Sequence, residues 1–202
     1  DFEAAGGLLH CRDRVLGIDT SDDLVQTALE DGTRVTADIV INSAGLSALS
    51  LVPSGVEHSY KILLLIGSYF SCASEVPFKT LVYPLPSQGG LGIHLTLDLA
   101  GRVRFGPDAS AVSTVDFAVR LEDGPKFGAA VKQYWPDCNV NKLSPDFAGV
   151  RPKLKLAGSV VPAFVFLESH ASGGSKVVSL LSVDSPGLTS CLAIAEHVFE
   201  MI

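Results

Sequence analysis

The sequence predicts a mixed α/β (α+β) protein in which segments of a partial α/β domain flank an antiparallel sheet, and three observations carry that prediction. Residues 176–183 form a β-branched and leucine-rich run. The turn Ser185-Pro186-Gly187 follows, and apolar residues then recur with helical spacing at Leu188, Leu192, Ala195, Val198 and Phe199, which reads as strand, tight turn, helix. A second apolar stretch, Val40-Ile41-Asn42-Ser43-Ala44-Gly45, ends in small residues with a helix predicted over 46–51, the way α/β sheets present strand ends to ligands. Between 61 and 105 the apolar runs are short, separated by turn residues and free of helical spacing, which predicts antiparallel pairing.

Taken in order, Asp1 to Gly7 reads as the end of a helix stopped by Gly6-Gly7, entered midway, and predicts that the chain is a piece of a longer protein. Strands are predicted at 8–11, 15–19, 24–29 and 35–42, with Asp31-Gly32 as a hairpin turn. A polar crossing with Pro53 and Gly55 separates these from strands at 61–71, 80–85, 90–99 and 102–105. A helix opens at Gly124-Pro125 and runs to Trp135, an extended segment covers 143–154, and 163–168 with 176–183 form a hairpin. At the last turn Ser185 is the expected cap, Pro186 the first helical residue, and Gly187 the position where free amides admit an anionic ligand.

Composition excludes several classes. The 202 residues are 47% hydrophobic and 18% charged, which describes a folded globular chain. A net charge of −7 without any Lys/Arg block gives no basic face for nucleic acid. No run approaches the length of a transmembrane helix. Four dispersed cysteines with no CxxC pair and no histidine at ligand spacing predict free thiols, no metal site and an intracellular location, cytoplasmic or mitochondrial.

Seven short stretches, in order, resemble the C-terminal half of the FAD-dependent oxidoreductases of the D-amino acid oxidase superfamily, closest to the L-2-hydroxyglutarate dehydrogenase branch. They are Val40 to Gly45, Gly67 to Phe70, Leu81 to Pro86, Gly89 to Asp98, Arg104 to Asp108, Ala148 to Lys153 and Asp184 to Glu196. The resemblance implies a flavin-domain segment at 1–52, an inserted substrate domain at 53–147 and a flavin-domain return at 148–202. It implies FAD as cofactor, a small-molecule 2-hydroxy acid as substrate, and a missing N-terminal half of the same protein that carries the GxGxxG turn. Cofactor contacts carry over to Asn42, Ala44, Gly45, Gly149, Val150, Arg151, Pro152, Ser185, Gly187, Leu188 and Thr189.

Oxidation of a hydroxy acid also needs a base for the hydroxyl proton, and imidazole suits that step near neutral pH. Of the five histidines His94 alone lies within one of the resembling stretches, so His94 and Arg151 are the catalytic candidates. Alternation along 92–96 places His94 and Thr96 on one face and Ile93 and Leu95 on the other. Tyr69, Tyr83 and His94 are the substrate-binding candidates. The chain departs from its resembling family at Ile66, where relatives carry a basic residue, and at Ala163, where they carry an acidic one. Two other readings stay open: a relative that oxidises an amino acid, and a non-catalytic binding module.

Overall fold

A computed structural model describes residues 1–53, 59–85 and 92–202. Most of the predicted crossing at 53–59, and the connection between the strands predicted at 80–85 and 90–99, lie outside the described residues. A 3-10 turn at Glu3–Ala5 leads to β1 (Val15–Asp19), β2 (Val25–Leu29), β3 (Arg34–Ala37) and β4 (Ile39–Asn42). Two more 3-10 turns, Gly45–Ser47 and Leu49–Leu51, precede β5 (Tyr60–Cys72), β6 (His94–Leu97), β7 (Val103–Gly106) and β8 (Ser110–Val112). Then come α1 (Gly124–Val131), β9 (Leu143–Leu156), β10 (Ser159–Val160), β11 (Val165–His170), β12 (Lys176–Leu181) and α2 (Cys191–Met201). Among the described residues no helix is long and apolar enough to cross a membrane. The chain divides into two compact units, one of Asp1–Ile62 with Pro152–Ile202 and one of Leu63–Arg151, and it passes between them within β5 and β9.

The first unit holds a meander, β1-β2-β3, and a mixed sheet in the order β11-β12-β4. The β2–β3 hairpin turns where Asp31-Gly32 predicted: Gly32 takes φ 89°, and the Asp31 carboxylate accepts from the Thr33 amide at 2.8 Å and its hydroxyl at 3.0 Å. Strand β12 is central, antiparallel to β11 and parallel to β4, so both its edges are paired, and four of its six residues are apolar. Val177, Val178 and Leu181 are buried accordingly. Leu181 packs with Ala48, Val52 and Leu154, and Val177 with Val25 and Ala171. The Lys176 ammonium donates to the Met201 carbonyl at 2.6 Å, placing a cation at the C-terminal end of α2.

In the second unit β9, β5, β7 and β6 are neighbours in that order, with β8 also on β5. Alternation divides their side chains between two faces. Phe70, Leu95, Val103 and Phe105 point to one, where Phe127 and Val131 of α1 close the core and the Phe70 and Phe127 rings lie 4.5 Å apart. Tyr69, His94, Thr96, Arg104 and Gly106 fall on the other, which keeps exposed aromatic rings.

Several predicted elements differ. Residues 8–11 form no strand. The helix expected over 46–51 is a pair of 3-10 turns, because six residues cannot repay the nucleation of an α-helix. Residues 80–85 contribute a single bridge, Val82 to Leu95, since Pro84 has no amide to extend the ladder. The helix expected to reach Trp135 ends at Val131. The last helix starts at Cys191, not at Pro186, and Ser190 occupies the cap position without a side-chain cap bond. Ser185 is therefore no cap, and Gly187 lies in a turn ahead of the helix.

Candidate active site

Each unit holds one cluster of the predicted residues. In the first, the end of β4 and the turn 184–189 border a groove of about 450 Å³, lined by Ile41, Ser43, Leu180, Val183, Gly187 and Cys191 together with further residues of α2. The turn is anchored from below. The Lys153 ammonium lies 3.0 and 2.9 Å from the two Asp184 oxygens, and the Asp184 side chain is only 4% exposed. Gly187 donates its amide to the Asp184 carbonyl at 2.5 Å, and a Cβ on it would meet that oxygen at 2.6 Å and Val183 at 2.8 Å. Glycine is thus required by the tight closure of the turn, which corrects the expectation that its amide faces a ligand.

The amides that do remain open are the next two. Among the described residues neither Leu188 nor Thr189 donates its backbone N–H to a protein acceptor, and both residues are exposed. Ser182, two residues before Asp184, takes φ 58° and buries a hydroxyl with no partner among the described residues. Two open amides in an exposed turn fit a ligand edge with acceptors, such as the N1 and C2 carbonyl side of a flavin. Asn42 plays a different part. It is buried, donating to the Ala48 carbonyl at 2.8 Å and the Ser179 hydroxyl at 3.1 Å and accepting from the Ala44 amide at 3.3 Å. Its side chain shapes the strand end and leaves Ala44 and Gly45 exposed there, with Gly45 at φ 58°.

The second cluster lies on the open sheet face of the other unit. The Val82–Leu95 bridge, with bonds of 3.0 and 2.9 Å, brings Tyr83 beside His94, and the two rings stack 4.0 Å apart at 16°. His94 pairs across the sheet with Gly106, and Phe105 pairs with Phe70, so Tyr69 follows Gly106 in the same cross-strand row. Gly106 has φ 148°, and a Cβ there would lie 2.7 Å from both the Ser68 carbonyl oxygen and the Tyr69 ring. The missing side chain lets that ring lean over β7. Burial raises the Tyr69 pKa above the usual phenol value, the Arg151 charge opposes the shift and Tyr83 adds to it. Tyr69 therefore stays a protonated donor near a cation.

Tyr69, Tyr83, His94 and Arg151 thus share one neighbourhood. Among the described residues no carboxylate pairs with Arg151. Gly149 lies two residues before it on the same strand face, with nothing within 4 Å of a Cβ placed there. Val150 falls on the opposite face by alternation, and Pro152 is buried in the other unit, so neither accompanies Arg151.

Sequence reasoning missed the residues that position these groups. Gly67 and Gly106 let the chain at 107–108 close against β5, where Asp108 accepts from the Ser68 amide at 2.8 Å and from Lys126 at 2.6 Å. Phe147 stacks on Tyr69 at 4.5 Å and 9°. The signals were present, as glycines within the resembling stretches, but which surfaces those glycines bring together is not a local property.

One unit carries an open turn at the end of its sheet and the other an aromatic sheet face, and comparison with known proteins gives the class, that of the flavin-dependent oxidoreductases. The family model described as FAD dependent oxidoreductase (DAO) matches residues 1–201, and the chain belongs to that family. It is 37% identical over 177 residues to the mitochondrial L-2-hydroxyglutarate dehydrogenase of Arabidopsis thaliana, covering 80% of this chain and 37% of that protein. The L-2-hydroxyglutarate dehydrogenase of Salmonella houtenae is 26% identical over 243 residues, covering 100% of this chain and 56% of the relative. The chain therefore spans 37% and 56% of the lengths of these two relatives.

Two solved structures share the fold. The FAD-bound L-alpha-glycerophosphate oxidase of Mycoplasma pneumoniae superposes with a TM-score of 0.72 at 22% identity, over 91% of this chain and 48% of that one. The glycerol-3-phosphate dehydrogenase of Bacillus halodurans complexed with FAD gives 0.69 at 18%, over 98% and 40%.

Proposed function

We propose that the protein is an FAD-dependent dehydrogenase that oxidises a small 2-hydroxy acid, with L-2-hydroxyglutarate as the first substrate to test. Bound FAD supplies the acceptor for the hydride that leaves the substrate carbon. The amides of Leu188 and Thr189 would hold the acceptor edge of its ring, and the Lys153–Asp184 pair would keep that turn in place.

The chain's own residues then divide the remaining work. The Arg151 guanidinium binds the carboxylate, for which its planar fork is suited. The Tyr69 hydroxyl donates a hydrogen bond to the same group. An imidazole nitrogen of His94 takes the hydroxyl proton as the carbon is oxidised, and Tyr83 holds that ring flat by stacking. The Tyr83 and Phe147 rings keep water from the face on which they lie.

What supports this reading is the stacking of Tyr83 on His94 together with the reach of the Arg151 charge to Tyr69. The name of the Arabidopsis relative supports the substrate class. An intracellular location, cytoplasmic or mitochondrial, belongs to the same proposal and is supported by four free cysteines.

The test mixes the purified flavin-loaded protein with L-2-hydroxyglutarate and a panel of other 2-hydroxy acids without oxygen and follows loss of the flavin's visible absorbance. His94→Gln should slow that reduction by about 10²- to 10⁴-fold with the flavin retained. A variant within a few-fold of the parent rules out His94 as the base, and a parent reduced by no 2-hydroxy acid overturns the reaction itself.

A further inference from the structure

Arg104 stands outside the set of groups assigned above, yet it is tied to them through a chain of contacts. Its Nε donates to Asp146 Oδ2 of β9 at 2.7 Å, and an Nη lies 3.7 Å from Asp98 Oδ2, which follows β6 and also accepts from Arg102, so two carboxylates from separate segments flank the guanidinium. Its Cζ lies 5.4 Å from the centroid of the Phe147 ring. Asp146 directly precedes Phe147, so one arginine holds both the ring and the backbone that carries it. Phe147 in turn stacks on Tyr69 at 4.5 Å, and Tyr69 leans over the space left by Gly106. Phe147 is 44% exposed, so burial alone does not fix its ring.

We infer that Arg104 is a positioning residue: held by Asp146 and Asp98, it keeps Phe147 against Tyr69 and so sets the direction in which the Tyr69 phenol points. The inference rests on the proposed role of Tyr69 in binding the substrate carboxylate. Arg104 touches no reacting atom, so its effect falls on substrate binding and not on the chemical step.

The experiment replaces Arg104 in the flavin-loaded protein by Met, which keeps an unbranched apolar stem and removes the guanidinium and its charge. Arg104→Met should raise KM for the 2-hydroxy acid about 3- to 10-fold with kcat within about 2-fold. Arg104→Lys, which keeps a cation over the ring, should recover most of the loss. Phe147→Leu should raise KM to a similar degree, and the double variant should be no worse than the poorer single one, because both act through the same ring. An unchanged KM in Arg104→Met, or additive losses in the double variant, overturns the inference.

A crystal structure of Arg104→Met separates this from failure of the proposed reaction. If the parent oxidises no 2-hydroxy acid, displacement of the Tyr69 and Phe147 rings from their stack still supports the positioning role, and an unmoved stack refutes it.

Discussion

Lys153→Met tests the anchoring of the ligand-facing turn. Lys153 places its ammonium 3.0 and 2.9 Å from the two oxygens of Asp184, whose side chain is 4% exposed, while its own is 22% exposed. Methionine fills nearly the same volume, so packing is kept and the charge alone is lost. A carboxylate left buried without its partner destabilises a protein by about 3–5 kcal/mol. For a chain of this size about 2–4 °C of melting temperature accompanies each kcal/mol, which gives a fall on the order of 10 °C. Thermal melts of parent and variant at pH 7 measure it.

The companion variant Lys153→Met/Asp184→Leu replaces the pair by apolar groups and should regain most of the lost stability, because the penalty lies in the isolated charge. A single variant melting within about 2 °C of the parent would refute the argument. So would a double variant that melts as low as the single one, since the damage would then come from lost packing.

Two further predictions concern Tyr69 and the strand that makes room for it. Gly106→Ala combines a φ of 148° with a Cβ 2.7 Å from the Ser68 carbonyl oxygen, whereas Gly101→Ala meets φ 78° with nothing within 4 Å. The first should lose about 2 kcal/mol or more and the second about 1 kcal/mol, measured by urea unfolding; equal losses would show that the Gly106 contact is unimportant. Tyr69→Phe should raise KM about 10-fold or more, as expected for a hydrogen bond to a charged group. The Tyr69 pKa is raised in the folded protein from its ordinary value of 10.0. The protonated donor is thus fully present below pH 10 and is lost only as pH rises through the higher folded value, so KM should stay flat up to about pH 10 on account of this group. A KM that climbs between pH 8 and 9 in the parent, but not in Tyr69→Phe, would contradict the direction of the shift.

Much of the local structure was determined by residues close together in the chain. Asp31-Gly32 specifies its hairpin because the turn needs a positive φ and an acceptor, and both are supplied within three residues. Gly6 ends the first 3-10 turn for the same reason, at φ 89°. The run from Lys176 to Leu181 reads as a strand because its β-branched and leucine residues suit a buried, extended segment, and Val177, Val178 and Leu181 are buried there. Alternation around His94 assigned its face correctly, since Ile93 and Leu95 are core residues.

The site needed the tertiary structure, because its determinants are contacts between distant segments. Tyr83 reaches His94 through one bridge from a segment that forms no regular strand. Gly106 matters for the ring of Tyr69, and Phe147 for the same ring from a third strand. Gly187 looked like a helix start because Pro-Gly ahead of an apolar repeat fits that pattern. Closure of the turn onto Asp184, held by Lys153 thirty-one residues earlier, moves the helix start to Cys191. Spacing along the chain specifies which backbone conformations are cheap, and only folding decides which side chains then meet.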